Sequence, residues 1–157
     1  MKSGIYRNLI LTLPAAMLIL AGCEDFPTSG SPIAGAPDGV AEVLVVSENG
    51  AIEMQEIAFL AIVERLDQKL VLVDFWAPWC GPCLQMAPSL VSLKKKWGDQ
   101  LEVVKVDIDD AKNSGIASHL RISSIPNVRI FRGGVQVGDF VGVMPKDEID
   151  ALLRSLQ

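Results

Sequence analysis

The chain has 157 residues, half of them hydrophobic, which is enough for one domain with a buried core and excludes a largely disordered chain. Lys and Arg total 14 against 19 Asp and Glu, a net charge of −5, and this acidic balance argues against nucleic acid as a partner. Thiol and metal chemistry must come from three cysteines, Cys23, Cys80 and Cys83, and one histidine, His119. No internal repeat is present.

Lys2 and Arg7 precede an apolar run from Leu9 to Leu20, interrupted by Pro14, the order of an export signal. The run is too short to favour a spanning helix. It ends in Leu20-Ala21-Gly22-Cys23, which resembles the bacterial lipobox. That resemblance implies cleavage before Cys23, a diacylglyceryl group on its sulfur and acylation of the new N-terminus, so that residues 1–22 are a lipoprotein signal peptide. Several acyl chains hold a protein on a membrane essentially permanently. An ordinary signal peptide with an incidental Cys23 is the alternative, but an odd cysteine in an exported protein then needs another explanation. Glu24, rather than the aspartate associated with inner-membrane retention, points to the outer membrane. Residues 23–39 are rich in Pro, Gly and Ser and read as the lipidated cysteine and a flexible tether. Residues 40–157 are the expected domain.

Val40–Val46 is apolar and β-branched, a first strand, and residues 47–50 form a turn. From Ile52 to Leu66 the apolar residues Met54, Ile57, Ala58, Ala61 and Leu66 lie at helical spacing, so a helix is expected there. Leu70 to Trp76 reads as a buried strand and leads into Trp79-Cys80-Gly81-Pro82-Cys83. A helix is expected from Cys83 to Trp97, kinked by Pro88, with Lys94-Lys95-Lys96 as its solvated end and Gly98 as its stop. Leu101–Val106 is the next strand, carrying Lys105. Asp107, Asp109 and Asp110 lack the spacing of a calcium loop and read as strand-end and helix-cap residues. A short helix from Ala111 to Leu120 carries His119, which reads as a surface or half-buried side chain rather than a catalyst. A strand from Asn127 to Phe131, the Gly133-Gly134 turn and a return strand over Val135–Val141 form a hairpin. Pro145 opens a last helix whose Ile149, Leu152, Leu153 and Leu156 share one face. This order predicts an α/β domain, a central mixed sheet with helices on both faces.

Cys80 and Cys83 stand three apart at a helix start, close enough to close a small disulfide ring. Helix dipole and free N–H groups favour a thiolate on the first sulfur. Cys80 is then the exposed nucleophile and Cys83 the buried resolving thiol. Half of a zinc site is the other reading of the pair, but zinc needs two more ligands and only Cys23 and His119 are available. A purely structural disulfide is disfavoured, because so short a loop restrains the unfolded chain little.

The run VDFWAPWCGPC resembles the active-site signature of the thioredoxin family, and the likeness continues from about Leu70 to Gln157. It implies the thioredoxin fold and dithiol–disulfide exchange through Cys80 and Cys83, with no cofactor or metal. Asp74 falls on the family's buried aspartate, which takes the Cys83 proton, and Lys105 on its partner lysine. Ile125-Pro126 falls on the Ile–cis-Pro pair that faces the cysteines, and Gly142 on the glycine of the substrate-facing surface. Trp79, Gly81, Pro82, Ile125, Pro126 and Gly142 then form a flat apolar docking patch. Gly81-Pro82 is the dipeptide of the family's reductants. Leu84 replaces the basic residue common after the second cysteine, and Asn127 the usual threonine after the cis-proline.

The expected protein is a monomeric, lipid-anchored disulfide reductase facing the periplasm. Its expected partners are disulfide-containing exported proteins, an envelope electron donor and the membrane. Two alternatives are a dedicated reductant for cytochrome c maturation and a non-enzymatic binding module. The first often carries an inserted hairpin-helix segment, for which there is no room between Leu101 and Gly134. The second is opposed by intact Cys80, Cys83, Asp74 and Pro126.

Overall fold

The chain reverses between Val46 and Ile52, so that Val40–Val46 (β1) and Ile52–Ala58 (β2) pair as an antiparallel hairpin. The structure is a computed structural model that describes residues 36–47, 49–64 and 67–157. The expected signal peptide, Cys23 and most of the tether lie outside that range.

Within the hairpin, the Gly50 N–H donates to the Ser47 carbonyl at 2.8 Å, and Gly50 has φ 79°, which a side chain would oppose. The helix expected from Ile52 onward is thereby corrected. Among the described residues of that segment only Phe59–Val63 (α1) is helical, burying Phe59, Ile62 and Val63. The apolar spacing of the first seven residues fits neither period cleanly, and pairing with β1 decides their state. Asn49-Gly50 is the hairpin signal that outweighs it.

Leu70–Trp76 (β3) is buried along its first six residues because it lies inside the sheet with helices on both faces. Gly81–Trp97 (α2) follows it and continues through Pro88. Leu101–Asp107 (β4) pairs in parallel with β3, and Ser114–His119 (α3) follows a single 3-10 turn. Asn127–Arg132 (β5) and Val135–Val141 (β6) form the expected hairpin, and Lys146–Ser155 (α4) closes the described chain. Among the described residues the sheet order is β2-β1-β4-β3-β5-β6, mixed because β3 and β4 run parallel and the other pairs antiparallel.

Alternation along β3 divides the core. Leu70 and Leu72 point toward α2 and α4, where Met86, Leu90, Leu93, Ile149 and Leu153 are buried. Val71, Val73 and Phe75 point toward α1 and α3. Asp74 is in phase with Leu72 and so lies on the α2 face.

Two further details depart from expectation. Lys94 is not solvated: it is 7% exposed, and its Nζ donates to the carbonyls of Gly98 and Leu101 and pairs with Glu102 at 3.0 Å. The helix C-terminus leaves carbonyls without partners, and this ammonium folds back to satisfy the turn that follows. The end of the expected tether is also packed. Ala36 lies against the core, the Asp38 carboxylate accepts from the Leu60 N–H, and the Val40 N–H donates to Asn113 Oδ1. At Gly39 a Cβ would meet Ile116 at 2.3 Å, so only glycine fits.

Candidate active site

The strand β3 delivers its C-terminal end to the start of α2, and the Ala77–Cys80 connection places both cysteines there. Cys80 and Cys83 are joined in a disulfide with 5.3 Å between their Cα atoms. Cys80 is the N-cap of α2: its sulfur accepts from the Cys83 N–H at 3.2 Å, and Pro82 occupies the first turn, where no N–H partner is lost. This is the position at which backbone dipoles favour a thiolate once the bond is reduced.

The expected exposure of Cys80 is not found in this disulfide form. Cys80 is 3% exposed and Cys83 2%, packed among Ala77, Ile108 and Ile125. The exposed groups surround them: Trp79 is 68% exposed, and Gly81, Pro82 and Leu84 are also at the surface. A Cβ on Gly81 would meet nothing within 4 Å, so the surface at Gly81 is open.

The Ile125–Pro126 peptide is cis, as the family likeness implies. Ile125 packs against the cysteines, and the Pro126 carbonyl accepts from the Gly142 N–H at 2.8 Å. Gly142 has φ 88°, a conformation that glycine adopts without strain. These three residues thus come together beside the disulfide although 17 positions separate Ile125 from Gly142. Val141 and Val143, exposed on either side of Gly142, extend the apolar surface.

Asp74 belongs to β3, the strand that leads to the cysteines. It is fully buried, neither carboxylate oxygen has a hydrogen-bond partner, and burial pushes its pKa up to about 6 against the pull of Lys105. Lys105 stands opposite Asp74 in the parallel β3–β4 register. Its ammonium does not bond the carboxylate; it sits 3.4 Å from the centroid of the Trp76 ring, a cation–π contact. Burial lowers the Lys105 pKa, while Asp74, Glu42 and Asp107 oppose that change.

Two contacts here escape sequence reasoning. Trp79 Nε1 donates to Asp109 Oδ2, tying the exposed indole to the end of β4, so Asp109 is more than a strand-end residue. Trp76, which the sequence marks only as part of the strand, is the surface on which Lys105 rests. Neighbouring Asp110 and Asp107 do act as expected caps, accepting from the Lys112 and Asp109 N–H groups. Asn127 is buried with Oδ1 unpartnered. His119 is exposed and remote from the cysteines in sequence.

Comparison with known proteins agrees with this geometry. The thioredoxin family model matches residues 50–155. Thioredoxin of Bacillus subtilis is 39% identical over 103 residues, covering 60% of this chain and 97% of the relative. Thioredoxin 1 of Synechococcus elongatus is 49% identical over 76 residues, 48% of this chain and 69% of the relative. Among solved structures, a single-site mutant of thioredoxin from Halobacterium salinarum NRC-1 superposes with a TM-score of 0.52 at 33% identity, over 58% of this chain and 77% of that one. The chain therefore belongs to the thioredoxin family, has the thioredoxin fold and, with its Cys80–Cys83 disulfide at the N-cap of α2, is a thiol–disulfide oxidoreductase.

Proposed function

We propose that this oxidoreductase is lipid-anchored through Cys23 and reduces disulfides of exported proteins on the periplasmic side of the cell envelope, on the outer membrane. The lipobox-like Leu20-Ala21-Gly22-Cys23 behind a short apolar run supports the anchor, and the Pro-, Gly- and Ser-rich stretch after it supplies reach.

In the reduced protein, the Cys80 thiolate attacks one sulfur of a substrate disulfide. The substrate S–S bond breaks, a substrate thiolate leaves and a mixed disulfide forms. Cys83 then loses its proton and attacks Cys80; the second substrate thiolate departs and the Cys80–Cys83 bond closes. Two electrons pass to the substrate, and an envelope dithiol donor returns them. Asp74 receives the Cys83 proton, with Lys105 offsetting the charge. Trp79, Gly81, Pro82, Ile125, Pro126 and Gly142 hold an extended substrate segment against the sulfurs. The single observation that carries this is Asp74: a carboxyl buried without a partner is costly, and its raised pKa suits proton exchange near neutrality.

Trapping with Cys83→Ser in cells tests it: covalently held exported proteins are expected, and cytoplasmic partners alone would overturn the envelope assignment. Mass spectrometry of the mature N-terminus is expected to find a triacylated Cys23; an unmodified cysteine removes the anchor.

A further inference from the structure

The pairing of β2 with β1, absent from the sequence expectation, creates a charged row across the sheet. Glu56 of β2 stands opposite Glu42 of β1, Glu42 opposite Lys105 of β4, and Lys105 opposite Asp74 of β3. Residues directly opposite in adjacent strands share a face, so all four project on the α2 side. Burial deepens along the row: Glu56 is exposed, Glu42 and Lys105 are half-buried, and Asp74 is inaccessible. Glu42 and Lys105 also line one cavity of about 290 Å³ with Trp76, Met54 and Leu90. The walls that α2 gives this cavity, Ala87, Leu90 and Val91, are uncharged.

We propose that Glu42 is a positioning residue for the exchange reaction: it shares the Lys105 charge with Asp74 and so keeps Asp74 from being locked as a carboxylate. The inference rests on the reading of Asp74 as the proton acceptor. Lys105 is drawn from both sides, by Asp74 and by Glu42, with Asp107 two residues further along β4. Other charges face elsewhere. Arg129 of β5 is on the opposite face and pairs with Asp139, while Lys94 and Lys96 at the far end of α2 pair with Glu102 and Asp150. At the near end of α2 are the two cysteines, which do not titrate as a disulfide.

The test is a carbon NMR titration of the Asp74 carboxyl in the oxidised protein, with Asp74→Asn identifying the signal. Glu42 and Asp74 are two strand spacings apart, roughly 10 Å. Removing the Glu42 charge relieves repulsion on Asp74 and leaves Lys105 to it, so Glu42→Gln is expected to lower the Asp74 midpoint by about half to one pH unit. Glu42→Asp restores most of the shift, and Glu56→Gln, further out and exposed, gives a smaller one. The acidic limb of release from the mixed disulfide, measured by stopped flow, moves down with the midpoint. An unchanged midpoint overturns the proposal whatever Asp74 does in catalysis. A midpoint that moves without the release profile overturns the positioning role. Asp74→Asn then shows which reading failed: slow release leaves the proton-acceptor assignment standing, and normal release removes both.

Discussion

Among the described residues two aspartates are buried, and their surroundings are opposite. Asp150 on α4 accepts from Lys96 Nζ at 2.8 Å and from Trp97 Nε1 at 2.9 Å, which tie α4 to the end of α2, and from Arg154 on its own helix. The bonds from Lys96, Trp97 and Arg154 hold its carboxyl well below the usual carboxylate range. Asp74 on β3 has no bond at either oxygen, and burial raises its pKa. The Asp150 arrangement strengthens the fold at neutral pH, whereas that of Asp74 opposes it. A charge kept in the second condition, in an oxidoreductase and on the strand that leads to its cysteines, is better explained by chemistry than by stability.

The largest effect that sharpens this contrast is expected from Asp74→Asn. Losing a general base should slow release from the mixed disulfide by about 10²–10⁴ while the first attack by Cys80 stays nearly intact. The folded pKa of about 6 lies above the ordinary value of 3.8, so folded Asp74 binds its proton more tightly than the unfolded chain does. Its contribution to stability therefore falls as pH rises through that window and is fully adverse above it. The difference corresponds to about 3 kcal/mol at most. A denaturant melt at pH 7 is expected to show Asp74→Asn more stable than the parent, with the gap closing near pH 4. A less stable mutant with normal release would make Asp74 a structural residue after all.

Next in size is Lys105→Met, which removes the cation beside Asp74. The Asp74 midpoint should rise by roughly one pH unit, and release at neutral pH should slow as less carboxylate is present. An unmoved midpoint would mean that Lys105 serves the Trp76 contact alone.

Asp150→Ala belongs to the other side of the comparison. Melting should fall by roughly 5 °C, because three donors lose their shared acceptor, while disulfide reduction by the folded protein is unchanged. With its pKa depressed, the Asp150 contribution is present above the ordinary carboxylate pKa and lost as pH falls through the acid range, the reverse of Asp74. The smallest effect is that of Arg154→Ala. Its side chain is largely exposed and Lys96 and Trp97 remain, so melting should drop by roughly 2 °C or less. A drop as large as that of Asp150→Ala would mean that Arg154 alone carries the clamp.

How much of this is legible in the sequence differs by region. The stretch from Leu70 onward reads nearly element by element, because a continuous apolar strand, Gly98 at the helix end, Gly133-Gly134 at the turn and Pro145 before the last helix are local signals. The segment from Ile52 reads as helix and is a strand. Its residues are mostly exposed, so no buried face marks their period, and the edge pairing is a non-local interaction. Lys94 misleads for a related reason: its partners, Leu101 and Glu102, lie beyond the helix stop.

The place of Pro126 beside the sulfurs came from the family resemblance, whereas two features of the chemistry are legible in the residues alone: the pair of sulfurs that exchange and an aspartate within an apolar strand. Each is visible because it interrupts or ends a local pattern. How the charges are shared depends on the packing of the strands. That packing left Asp74 without a hydrogen bond, set Lys105 on Trp76 rather than on the carboxylate, and brought Glu42 and Glu56 into line with them through a hairpin. The cause is physical: a pKa depends on burial and on charges several ångströms away, and those distances are set by strand register rather than by spacing along the chain.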